Sequence, residues 1–239
     1  QKFFSTVNPP PGLDLSNYRY RWALAAYRNK IYQPAIDILE KLIRRPNLVP
    51  ELDKAASKLL YAVYATREQA ASSAPNRKAL RTAAQRFIRK SPDDAGADSA
   101  RLLMAQTASN ATTALKALGQ VRSPSKLKGD VERTAFQVIA NEFSRKISRG
   151  KDAYAIGPAK QGIQAWTRLP KADKKDQFNF AVLIEMRALV GEEPEKVLEQ
   201  LRRIEEKGNL SLDVRRALVW SRLKLFDRLG DPSRALEYV

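Results

Sequence analysis

Asn29-Lys30-Ile31-Tyr32-Gln33-Pro34-Ala35-Ile36-Asp37-Ile38-Leu39-Glu40-Lys41-Leu42-Ile43-Arg44-Arg45-Pro46 holds a turn, a helix start, an apolar stripe and a helix stop in one run. Proline is tolerated in the first helical turn, where its missing N–H has no partner anyway, so Pro34 marks a start. Ala35, Ile36, Ile38, Leu39, Leu42 and Ile43 then form one apolar stripe at helical spacing. Pro46 cannot continue the helix and closes it. Upstream, Leu15 to Asn29 carries Tyr18, Trp22, Ala25 and Ala26 three and four apart, a second helix with its own stripe. The two make a helix pair.

The same reading extends along the chain. Glu51 to Ala71 and Asn76 to Lys90 make a second pair, closed by Ser91-Pro92. Ala97 to Ala108 with Ala111 to Leu118, and Ser125 to Ser148 with Gly157 to Leu169 after a loop at Gly150, make the third and fourth. Ala172 to Val190 with Pro194 to Lys207 is the fifth, and Leu212 to Leu229 opens a sixth whose partner begins at Asp231. First-of-pair helices start near 15, 51, 97, 125, 172 and 212, a mean spacing of about 39 residues, within the range of helix-pair repeats. Nothing reads as a strand; the apolar run from Phe178 to Ile184 sits inside a longer stretch of helical period without turn signals. The expectation is an all-α fold, a right-handed α-solenoid of about six stacked helix pairs with irregular repeat lengths. Residues 1–14, with Pro9, Pro10 and Pro11 in a row, are expected to be an extended linker, and 15–239 a helical-repeat domain. The chain opens at Gln1 rather than Met and stops at Val239 inside an apparent helix, so a fragment of a longer protein is expected.

Composition narrows the chemistry. Cysteine and histidine are both absent, which removes disulfides, thiol nucleophiles, finger-type zinc sites and histidine acid–base catalysis. Hydrophobic residues at 44% and charged residues at 29% suit a folded chain rather than a disordered one. No apolar run approaches the roughly 20 residues needed to cross a bilayer, and no signal peptide is visible. Cytoplasm and the periplasmic side of a bacterial envelope are both compatible. Lysine and arginine total 43 against 26 acids, a net charge of +17 that favours acidic partners or is simply a solvated basic surface.

Several of these stretches resemble the tetratricopeptide (TPR) family. There a Gly-Asp/Asn-aromatic turn leads into a second helix that begins on a small residue, with a large apolar residue four positions on and a closing proline. Lys30 to Ile36, followed by Leu39, Leu42 and Pro46, looks like that turn. Gly230-Asp231-Pro232-Ser233-Arg234-Ala235-Leu236 is closer, with Trp220 and Leu223 upstream. Gly191 to Leu198, Ser109 to Leu115 and Phe87 to Pro92 are weaker copies. Repeat lengths of about 28 to 47 depart from the family's near-constant 34. The resemblance implies a TPR-like scaffold rather than a chemistry. It does not extend to the carboxylate clamp of chaperone-binding members, because Tyr20 and Leu24 stand where that clamp needs Lys and Asn.

Two basic features are candidate partner-binding sites. Tyr18-Arg19-Tyr20-Arg21-Trp22, with Tyr27 and Arg28 behind, interleaves rings with cations, as single-strand nucleic-acid binders do. Against that, Tyr18, Trp22 and Ala25 line one helical face, which reads equally as core aromatics beside solvated Arg19, Arg21 and Arg28. From Arg122 to Lys175 there are 13 Lys or Arg against five acids, with Arg145, Lys146, Arg149 and Lys151 clustered at a helix end. Cations there also complement the helix dipole, so an anion patch and a capped helix end are both consistent. Ser123-Pro124-Ser125-Lys126 fits a serine–lysine acylase pattern without its companion motifs, and no Gly-rich phosphate loop is present. Glu192, Glu193 and Glu195 lie near a helix start, where acids are favoured. No catalytic residue, cofactor or metal is therefore expected. The expected role is a non-catalytic scaffold holding a protein or peptide in a concave groove; the alternative is nucleic-acid binding on a basic face.

Overall fold

The computed structural model describes residues 14–122, 126–191, 194–206, 208–231 and 233–234. Most of the expected linker, Ser123 to Ser125 of the serine–lysine motif, Glu192, Glu193 and most of the run from Pro232 to the end lie outside them. Among the described residues there are twelve helices and no strand. These are α1 (Ser16–Arg28), α2 (Tyr32–Ile43), α3 (Pro50–Ala70), α4 (Ala74–Lys90), α5 (Ala95–Gln106) and α6 (Ala111–Leu118). They continue with α7 (Lys128–Ile147), α8 (Asp152–Arg168), α9 (Lys171–Lys174), α10 (Gln177–Val190), α11 (Pro194–Glu206) and α12 (Leu212–Leu229). The fold is all-α. None of these helices is long and apolar enough to cross a membrane.

The chain divides into two compact units, 1–107 and 108–239. The helices expected to form the third pair therefore fall on either side of the division. α5 packs on α4 within the first unit, and α6 packs on α7 within the second.

In the first unit each helix packs on its neighbour in sequence, and α1 also touches α3. The stripe read from sequence on α2 is the one buried: Ala35, Ile36, Leu39 and Leu42 are enclosed, with Ile38 and Ile43 packed at the edge. α1 differs from its reading. Ala23 and Ala26 are buried, and Tyr20, Trp22, Leu24 and Tyr27 pack against the core, but Tyr18 is 59% exposed and Ala25 faces solvent. A 100° turn per residue places Tyr18, Arg21, Ala25 and Arg28 together on that outer face. The core continues through Leu60, Val63 and Leu80, while Phe87 stacks on Tyr61 with ring centroids 5.5 Å apart.

In the second unit α10 is the central helix. Val182, Met186 and Leu189 join the cluster of α7 and α8, whereas Ala181, Ile184 and Ala188 join that of α11 and α12. A helix buried on two sides needs an almost continuous apolar sequence, which accounts for the run from Phe180 to Ile184, whereas Phe178 is exposed. Gly162 lets α8 approach: a methyl group there would overlap the sulfur of the buried Met186.

Two boundaries correct the sequence reading. α8 starts at Asp152 rather than Gly157 and runs through Pro158. Pro158 has no N–H for the carbonyl of Tyr154 four residues back, and that oxygen instead accepts from Lys146 Nζ at 3.0 Å. The expected helix from Ala172 to Val190 is broken into α9 and α10, because the Asp176 carboxylate accepts from the Asn179 N–H at 2.9 Å and caps a fresh start.

The turns closing α1, α7 and α12 share one geometry. The N–H of Ile31 donates to Ala26 O at 2.9 Å, that of Lys151 to Lys146 O at 3.0 Å, and that of Asp231 to Phe226 O at 3.0 Å. Each bond spans a left-handed residue: Lys30 (φ 60°), Gly150 (φ 66°) and Gly230 (φ 72°). This six-to-one closure is the Schellman arrangement, which favours glycine at the left-handed position. Lys30 alone carries a side chain there. Lys30→Gly should therefore stabilise the protein by about 1 kcal/mol, read as a higher denaturation midpoint at unchanged m-value.

Candidate functional site

The site builds up from the periodicity of α4. Pro75, Ala79 and Ala83 recur every four residues and form a row of small groups, while Lys78, Thr82, Arg86 and Arg89 form the row beside it. Small residues leave space where larger ones would fill it. The result is a groove of about 510 Å³ with an apolar floor and a cationic edge. α3 closes the floor with Leu60 and Tyr64, and α2 supplies the opposite edge with Glu40, Ile43 and Arg44. The volume lies within the range that binds ligands or side chains of a partner.

Beside the groove lies a charge network centred on the buried Asp53. Asp53 Oδ1 accepts from Arg86 Nη2 and Asp53 Oδ2 from Lys90 Nζ, both at 2.6 Å. Arg86 also donates through Nε to Ser57 Oγ at 3.1 Å and through Nη2 to the Ile43 carbonyl at 3.1 Å. Burial alone would push the Asp53 carboxyl up, but the hydrogen bonds from Lys90 and Arg86 outweigh it and hold the group below its ordinary value. Arg86 is thus fixed in place, spanning the end of α2, the start of α3 and the middle of α4. Tyr64 Oη donates to Glu40 Oε1 at 2.7 Å, and burial together with that carboxylate raises the phenol well above its ordinary range. Glu40 is therefore occupied on one side by Tyr64 and approached on the other by Arg44 at 3.4 Å. Lys78 and Arg89 are exposed, and neither has an ion-pair partner among the described residues.

The residues singled out from sequence fall into two sets. In the first unit Arg19 is half-buried, and the helical turn sets it on the opposite side of α1 from the exposed Arg21 and Arg28. None of the three lines the groove. In the second unit Arg145 is exposed and pairs with Glu142, while Lys146 reaches Glu142 at 3.4 Å as well as the Tyr154 carbonyl. Arg149 and Lys151 are exposed and have no ion-pair partner among the described residues; Tyr154, 71% exposed, follows at the start of α8. The α7–α8 turn thus brings an open ring and two open cations into one stretch.

The groove was not among the sequence-derived candidates. Its signal, an i, i+4 row of small residues on α4 beside a row of Lys78, Thr82, Arg86 and Arg89, is visible once α4 is placed, but the opposing wall comes from Glu40 to Arg44 on another helix. Among the described residues no three of His, Cys, Asp or Glu come together as metal ligands. Compared with protein-family models, with curated proteins and with solved structures, the chain gives no match.

Glu185 is a second feature not singled out from sequence. On the α10 wheel it falls between the stripe of Val182, Met186 and Leu189 and that of Ala181, Ile184 and Ala188. Burial in this seam pushes its carboxyl up to about 7 from an ordinary 4.5. The folded protein therefore holds a proton that the unfolded chain releases, and stability falls as pH rises between those two values. Glu185→Gln removes the slope. Melting temperatures of the two proteins should nearly coincide at about pH 4.5 and separate in favour of the variant at about pH 8.

Proposed function

We propose that the chain is a non-catalytic scaffold that docks a partner protein, with each unit a TPR-like stack of helix pairs. The groove on α2, α3 and α4 carries this reading: an apolar floor with charged edges suits side chains of a partner. Packing order supports the repeat. α1–α2, α3–α4 and α7–α8 are intimate pairs, each second helix packs on the next first helix, and first helices also meet, as in α1 with α3 and α10 with α12. The left-handed residues at Gly150, Gly191 and Gly230 recur about 40 residues apart, a regular spacing within the range of helix-pair repeats though longer than the 34 of the TPR family. In this reading the docking surface lies largely on second-of-pair helices rather than only on a concave face of first-of-pair ones. Co-purification of the full chain under cross-linking should recover a stoichiometric protein partner; recovery of none sinks the proposal.

A nucleic-acid reading draws on the α7–α8 turn, where Tyr154 stands exposed beside Arg149 and Lys151. Rings and cations so placed suit stacking and phosphate contact. Such binding releases counterions and should show as retardation of a single-stranded oligonucleotide at about 50 mM salt that fades steeply by about 200 mM. Arg149→Glu with Lys151→Glu should abolish it, and the absence of any retardation at low salt removes this alternative.

A further inference from the structure

We propose that the groove of the first unit takes a short acidic segment of the partner, seating an apolar side chain on its alanine floor and carboxylates on its cationic edges. This deepens the scaffold reading and rests on it. Charge complementarity selects the partner. Four cations, Arg44, Lys78, Arg86 and Arg89, line the groove against the single carboxylate of Glu40, which already accepts from Tyr64. Arg86 is held by Asp53, which offsets much of its charge, so the cations left open on this edge are Lys78 and Arg89. Lys78 and Arg89 stand open at the two ends of one edge, eleven residues apart on α4, or about 16 Å at 1.5 Å per residue. An extended segment covers that distance in about five residues. Two carboxylates so separated, with apolar side chains between them, would reach both cations while crossing the floor of Ala79, Ala83 and Leu60.

The floor also argues for a peptide over a nucleic acid. Its one ring, Tyr64, is buried and bonded through its hydroxyl to Glu40, so it offers no open face for a base. Small side chains at Ala79 and Ala83 instead leave room for aliphatic groups, whose burial adds affinity that salt does not screen.

The test uses the full chain and a fluorescein-labelled peptide of about nine residues, with two central leucines and a glutamate on either side about five residues apart. Fluorescence anisotropy at about 0.15 M salt should show saturable binding. Replacing either the glutamates by glutamines or the leucines by serines should weaken it about tenfold or more. Lys78→Glu with Arg89→Glu should do the same through charge, and Ala79→Trp through occlusion. All three positions reach the surface, so circular dichroism should show the fold unchanged. Arg202→Glu with Arg215→Glu, which alters net charge equally but lies in the other unit, should stay within about twofold of the parent. No binding of the glutamate–leucine peptide overturns the inference. So does binding indifferent to Ala79→Trp or to the Lys78 and Arg89 reversals, or an oligonucleotide that binds and loses affinity in the same variants. A stoichiometric partner cross-linked away from α2–α4 would overturn it while leaving the scaffold reading standing.

Discussion

Close helix approach through small side chains is the constraint on which both units depend. Ala23, Ala35, Ala56, Ala84, Ala97 and Ala100 in the first unit, and Ala155, Ala159 and Ala188 in the second, are fully enclosed. Each sits where a larger residue would force two helices apart, and interiors packed at crystal-like density tolerate little such change. Large groups then fill the remaining gaps: Phe87, Phe136 and Phe143 are buried completely. Gly162 is the extreme case, where even one methyl is excluded by Met186. The same economy of side-chain volume produces the groove, since the half-exposed Ala79 leaves open what Leu80 and Phe87 fill inside.

Amphipathic helices with a single buried face were the most legible part of the fold. Leu39 and Leu42 announce α2 because one stripe meets one core. Legibility fell where a helix serves two neighbours or where a partner is distant in sequence. α10 lacks a clean stripe because both of its long faces are covered, and the break before it depends on one capping carboxylate, Asp176. The true start of α8 was hidden by Pro158, normally a stop, whose cost is offset by a lysine from the preceding helix. Tyr18 was misplaced because its spacing to Trp22 and Ala25 fits a stripe, while Ala23 and Ala26, smaller and less conspicuous, define the face that packs. For the candidate site, cationic clusters are conspicuous in sequence whether or not they enclose anything. A groove needs two walls, and the periodicity of one helix reports only one of them.

The basic surplus of the chain is unevenly committed. Arg86 and Lys90 neutralise Asp53; Arg133 grips Asp173 through two bonds at 2.7 and 3.1 Å and adds Asp130 at 2.8 Å; Lys224 joins Asp152 and lies 5.7 Å from the centre of the Trp220 ring. These cations hold helices together. Exposed pairs such as Arg203 with Glu199 contribute little. Lys78, Arg89, Arg149 and Lys151 are different, because among the described residues they have no ion-pair partner.

The repeated turn geometry bears on how such a chain can change length. Connections inside the helix pairs, at 29–31, 71–73 and 148–151, are only three or four residues long. Connections between successive pairs differ more, from four residues at 91–94 to nine at 119–127. A left-handed closure fixes both the exit direction of one helix and the entry of the next, so an added residue there would rotate the second stripe off its core. Between pairs, where lengths already vary, extra chain adds only a slowly growing closure entropy. Insertions, deletions and grafted segments therefore have places to accumulate that leave every buried alanine in register, which is how one architecture can drift in repeat length without losing its packing.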